Sequence, residues 1–186
     1  MKIVAIGDSI TKGYPYSSKE SWVRYVAQEL NIDILNKGVC GDLTLNMRER
    51  FRREVLVYNP THVIILGGTN DAIAGYPLAE VSTNLTAMVE MSRQQGIIPI
   101  LGLPIPSLMP EEENIMADYR NWLKDYANRE NLKIIDFYSP FWTAVKEGQS
   151  AKLFGDEFHP GIEGYKLMGK IATQSMEEIL NSLEEI

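Results

Sequence analysis

The chain has 186 residues, 45% of them hydrophobic and 23% charged, with a formal net charge of −7. A chain of this length buries roughly 70% of the surface its unfolded form exposes, so a core can form without metal or disulfide staples, and a single domain over residues 1–186 is expected. The acidic balance argues against binding a phosphate backbone, and no apolar run approaches the roughly 20 residues needed to cross a bilayer.

Residues 1–6 carry one lysine and a short apolar run that leads straight into Gly7, without the h-region or cleavage site of an export signal. Cys40 is the sole cysteine, so an internal disulfide is excluded and a cytoplasmic location is expected. Two histidines and no Cys-x-x-Cys pair leave no zinc set.

Taken in chain order, short apolar runs alternate with amphipathic stretches, the signature of βαβ units. Strands are predicted at 2–6, 32–35, 62–66, 98–103 and 133–136. They are apolar nearly throughout, as parallel strands covered on both faces should be. Helical spacing links Leu78, Val81, Leu85, Met88 and Val89, with Gly96 as the closing residue. A second stripe is Ile115, Tyr119, Trp122, Leu123 and Tyr126. A third runs through Tyr165, Met168, Ile171, Ala172, Ser175, Ile179 and Leu183. All three read as core. The expected fold class is α/β, a three-layer α/β/α sandwich on about five parallel strands, with a ligand crevice beyond their carboxyl ends.

Reactive side chains follow those strand ends selectively. Gly7-Asp8-Ser9 leaves the first strand, a segment containing Cys40-Gly41-Asp42 follows the second, and Gly67-Gly68-Thr69-Asn70-Asp71 follows the third. Asp156-Glu157-Phe158-His159-Pro160 precedes the last helix, where Pro160 suits the first helical position. Glycines 7, 41, 67 and 68 suit sharp exits and close backbone approach to a ligand. A phosphate-binding P-loop is not encoded, because Lys12 precedes Gly13, and there is no G-x-S-x-G elbow. Asp8 and Asp71 are expected to shape their loops through backbone hydrogen bonds. His62, which opens an apolar strand, reads as structural, and Cys40 as a buried small filler.

The four blocks Gly7-Asp8-Ser9-Ile10, Gly41, Gly68-Thr69-Asn70-Asp71 and Asp156-Glu157-Phe158-His159 resemble those of the SGNH (GDSL-type) esterase and lipase family, across residues 7–160. Two departures are small: Ile10 stands where leucine is usual, and Cys40 where serine or asparagine is frequent. The resemblance implies a flavodoxin-like sandwich and hydrolysis of carboxylic esters through an acyl-enzyme, with no cofactor and no metal. It implies Ser9 as nucleophile, His159 as general base and Asp156 as the carboxylate that orients it. For the oxyanion it implies the N–H groups of Ser9 and Gly41 and the side-chain amide of Asn70. A serine hydroxyl is a poor nucleophile and needs such a base. Asp156 can reach the imidazole three residues on only if the chain turns back between them.

The expected partner is a small-molecule ester, with no nucleic acid and no membrane insertion. A compact chain favours short acyl groups. Lysophospholipase, thioesterase and carbohydrate O-deacetylase activities are open to the same site, as is acyl transfer to an alcohol. Candidate walls are Tyr14, Pro15, Tyr16, the proline-dense loop containing Ile105 and Met109, and Phe158. Two readings of other classes are a non-catalytic ligand-binding module and a phosphate-binding flavodoxin-like protein that uses the glycine loops as anion nests.

Overall fold

Strand β1 (Lys2–Gly7) runs through the middle of the molecule because every residue from Ile3 to Ile6 is fully buried, leaving its backbone only other strands to bond. The computed structural model describes residues 1–184, with side chains through Asn181, so Leu183 lies outside the described side chains. β1 pairs in parallel with β2 (Asp33–Gly38) on one side and β3 (His62–Leu66) on the other, and β4 (Ile98–Leu103) and β5 (Lys133–Asp136) extend the sheet in the order β2-β1-β3-β4-β5. The order reverses at β1, so the crevice for a ligand lies where the connections from β1 and β3 diverge to opposite faces.

Four strands occupy the predicted positions to within a residue. β2 starts one residue later and extends to Gly38, which pairs with Gly7. Residues 36–38 read as loop because Asn-Lys-Gly is a turn composition, but pairing with β1 outweighs that local preference.

Alternation along the strands sorts the core into two layers. Val4, Ile6, Val63, Ile65, Leu101 and Leu103 face one side. There they meet Met47 and Phe51 of α3 (Thr44–Glu54), Val81, Leu85 and Met88 of α5 (Leu78–Arg93), and Met116, Tyr119 and Leu123 of α6 (Pro110–Glu130). Ile3, Ala5, Ile64, Leu66, Ile100 and Ile135 face the other, packed under α2 (Trp22–Glu29), α7 (Tyr138–Lys146) and α9 (Ile162–Glu184). The result is a three-layer α/β/α sandwich. Short helices α1 (Ser9–Lys12), α4 (Thr69–Ile73) and α8 (Ser150–Leu153) complete the connections, with a 3₁₀ turn at Leu56–Tyr58.

Gly96 closes α5 as expected. Its φ is 69°, and the N–H groups of Gly96 and Ile97 donate back to the carbonyls of Arg93 and Ser92 at 3.0 Å each. Pro160 does not begin α9. The helix starts at Ile162, with the Gly161 carbonyl accepting from Tyr165 N–H, and Pro160 is buried in an antiparallel bridge with Phe154. No helix among the described residues is long and apolar enough to cross a membrane.

Candidate active site

Gly7 ends β1 where the backbone has no room for a side chain: a Cβ there would sit 2.2 Å from Thr11 Oγ1 and 2.5 Å from the Leu66 carbonyl oxygen. The chain therefore turns directly into α1. Asp8 caps that helix by accepting from Ile10 N–H at 2.9 Å. Ser9 is the first helical residue, so its N–H has no intrahelical acceptor. Its side chain emerges from a site that leaves the residue only 6% exposed.

The segment carrying His159 is a closed loop. The Phe154–Pro160 bridge ties its base, and Gly155 N–H donates to the His159 carbonyl at 2.8 Å. Within it Asp156 accepts from the backbone N–H of Phe158 at 2.8 Å and of His159 at 2.7 Å, which supplies the turn that the three-residue spacing demands. The same carboxylate meets His159 Nδ1 at 2.8 Å through Oδ2, and His159 Nε2 lies 2.9 Å from Ser9 Oγ. Burial alone would raise the Asp156 pKa, but the two N–H groups and the imidazole outweigh it and hold the carboxyl below its usual value. An ionised carboxylate only accepts, so Nδ1 carries the ring proton and Nε2 is left to accept from the serine hydroxyl. This arrangement can draw a proton off Ser9 Oγ.

The other predicted groups stand around the same strand ends. Gly41 follows β2 in a left-handed conformation, φ 80°, with open space where a Cβ would be. Asn70 lies in α4 after β3 and donates one amide N–H to the Asp42 carbonyl at 3.0 Å. An amide has two such donors, so this bond orients the group and leaves one N–H for a ligand. Ser9, Gly41 and Asn70 thus follow three adjacent strands, β1, β2 and β3.

Asp8 and Asp71 do shape the loops. Asp71 accepts from Thr44 N–H at 3.0 Å and from Thr44 Oγ1 at 2.6 Å, which fixes the start of α3 against α4. Asp8 is 1% exposed, and burial, reinforced by Asp71 and Asp42, pushes its pKa up to about 7. His62 is buried at the opposite end of β3, as its structural reading required.

Two expectations need revision. Cys40 is exposed, because the loop from Val39 to Gly41 stands out from the sheet edge. Ile105 is buried in the core beneath α7 and α9, so within residues 104–109 of the proline-dense loop only Leu108 and Met109 reach the surface. That loop is also anchored: Glu113 accepts from Ser107 N–H at 2.9 Å and pairs with buried Arg120, and Leu108 N–H donates to the Glu157 carbonyl at 2.9 Å.

Arg50 was not anticipated. It is 6% exposed and donates to Asp42 Oδ2 at 2.6 Å and to the Gly7 carbonyl at 2.9 Å, tying the Gly41 loop to the end of β1. The signal was present in the sequence: Met47, Arg50 and Phe51 form an i, i+3, i+4 set, and an arginine on an apolar stripe requires a buried partner. Among the described residues no group of three or more His, Cys, Asp or Glu could hold a metal.

Known proteins resemble this chain in sequence and in fold. The model of the GDSL-like Lipase/Acylhydrolase family matches residues 5–167. A solved structure from Desulfitobacterium hafniense DCB-2, described as a putative lipolytic protein of the G-D-S-L family, superposes with a TM-score of 0.85 at 35% identity, covering 94% of this chain and 98% of that one. The acetylxylan esterase of Geobacillus stearothermophilus is 25% identical over 91% of this chain and 90% of its own. The Bacillus subtilis protein named Uncharacterized lipoprotein YqeF is 38% identical over 56% of this chain, and the arylesterase of Vibrio mimicus 27% over 51%. The chain spans about half the length of these last two relatives, 48% and 50%. The expected cytoplasmic location is not carried by this kinship, since one relative bears the name of a lipoprotein. A match over most of the chain, and a fold shared nearly end to end with a G-D-S-L protein, place this chain in the GDSL-like lipase/acylhydrolase family.

Proposed function

We propose that this protein is a serine esterase that cleaves carboxylic esters through an acyl-enzyme on Ser9. The observation that carries the reading is the continuous relay from Asp156 through His159, 2.8 Å to Nδ1 and 2.9 Å from Nε2 to Ser9 Oγ. In the proposed cycle Ser9 Oγ attacks the ester carbonyl as Nε2 takes its proton. The imidazolium, balanced by Asp156, returns that proton to the leaving alcohol. Water then repeats the sequence against the acyl-enzyme. Charge developing on the carbonyl oxygen is met by the N–H of Ser9, the N–H of Gly41 and the free amide N–H of Asn70, donors already oriented before reaction.

For substrate we propose short-chain acyl esters. The site is bordered by loops that are themselves hydrogen-bonded in place, and the half-buried Phe158 and exposed Tyr14 and Tyr16 give it aromatic edges. Carbohydrate O-deacetylation is the favoured variant of this reading, because the acetylxylan esterase relative matches over nine-tenths of both chains. The test is a p-nitrophenyl ester series from acetate upward, followed by acetylated sugars, with Ser9→Ala as control. Turnover should be greatest on the shortest esters, and Ser9→Ala should lower kcat by about a million-fold. A Ser9→Ala variant that retained turnover, or a fluorophosphonate that labelled another residue, would exclude the reading.

A further inference from the structure

Ser9 and His159 are separated by 150 positions, and their hydrogen bond breaks whenever the serine attacks. Something else must keep the two segments in register through the cycle. Asp156 fixes one edge of the imidazole but belongs to the same loop as His159, so it cannot hold that loop against Ser9. The segment just after α1 makes contacts that can. The Tyr14 ring packs on the His159 imidazole with centroids 4.7 Å apart and planes tilted by 59°. The carbonyl of the same residue accepts from the Tyr165 hydroxyl at 2.6 Å. Tyr165 lies in the first turn of α9, its N–H bonded to the Gly161 carbonyl, and is fully buried. Tyr16 adds an edge contact to the Tyr165 ring at 6.2 Å.

We propose that Tyr14 and Tyr165 are positioning residues, a clamp that sets the separation between the Ser9 hydroxyl and the His159 imidazole. Tyr165 pins the backbone after α1 to the start of α9, and the Tyr14 ring limits rotation of the imidazole about its Asp156 bond. Burial raises the Tyr165 pKa, so its hydroxyl keeps its proton and remains a donor across the working range of pH. The inference rests on the proposed roles of Ser9 and His159, and it gives a different answer from a Tyr14 that merely lines the substrate site. A wall acts on binding, whereas a clamp acts on the rate of attack.

The experiment measures kcat, KM and the rate of fluorophosphonate labelling for Tyr14→Ala, Tyr14→Phe and Tyr165→Phe, with p-nitrophenyl acetate as substrate. A misplacement near 1 Å costs about 100-fold in rate. Tyr14→Ala should therefore lower kcat and labelling rate together by roughly 10- to 100-fold, with KM within about threefold of wild type. Tyr14→Phe keeps the ring and the carbonyl and should restore both rates to within about twofold. Tyr165→Phe keeps the buried ring but removes the donor, and should lower both rates by several-fold without changing KM. Tyr14 is 45% exposed and Tyr165→Phe is nearly isosteric, so both variants should fold. Raised KM with unchanged kcat and labelling in Tyr14→Ala would overturn the clamp, as would a Tyr14→Phe variant as impaired as Tyr14→Ala. Absence of labelling at Ser9 in the wild type would instead overturn the underlying reading of the site.

Discussion

Asn70 and Asp8 show how much rests on single polar atoms around Ser9. Asn70 gives one N–H to the Asp42 carbonyl and has the other for the proposed oxyanion. Asn70→Ala should lower kcat by about 100- to 1,000-fold with little change in KM, measured by steady-state kinetics. Asp8 is buried, its Oδ2 has no hydrogen-bond partner among the described residues, and its pKa rises from 3.8 to about 7. The folded state therefore binds a proton that the unfolded state releases near pH 4. The stability this group contributes is fully present below that value and is lost as pH rises toward 7, by a linkage of up to about 4 kcal/mol. Thermal denaturation should show wild type losing more stability between pH 4 and 7 than Asp8→Asn, which keeps an acceptor for Ile10 N–H. Equal pH dependence in the two proteins would show that Asp8 ionises freely.

At the scale of elements, the site is a set of strand ends joined by side chains that reach across them. Arg50 on α3 binds both Asp42 and the end of β1, and Thr44 at the start of the same helix binds Asp71 on α4. Removing one member of a buried ion pair leaves the other charge uncompensated, which typically costs 3–5 kcal/mol. Arg50→Met should accordingly lower stability in denaturant unfolding by about 3 kcal/mol. It should also lower kcat, because the loop bearing Gly41 loses its tie to β1. Strands, the three apolar stripes and the Gly96 closure were legible because period and punctuation are local. The extension of β2 to Gly38, the start of α9 at Ile162 and the exposure of Cys40 were not, since each depends on a neighbour distant in sequence.

Across the whole molecule the two apolar layers lie on opposite faces of the sheet, while the polar groups gather at the carboxyl ends of its strands. The net charge of −7 gives the molecule as a whole an overall repulsion toward anions, which disfavours anionic substrates. For an anionic hemiester, kcat/KM should rise as ionic strength increases from about 10 to 150 mM, as screening shortens to about 8 Å. For p-nitrophenyl acetate it should stay constant. A salt dependence common to both esters would point to a change in the protein rather than in the encounter. By itself the sequence determined the α/β class, the parallel strands and the residue types in the four blocks, because hydrophobic periodicity and short motifs are written in adjacent positions. Only the tertiary structure decided that Ser9 Oγ and His159 Nε2 lie 2.9 Å apart, that Arg50 bridges Asp42 and Gly7, and that Tyr14 stands against the imidazole. Those distances depend on how the sheet and its two helical layers bring remote segments together, a property of packing that no local pattern records.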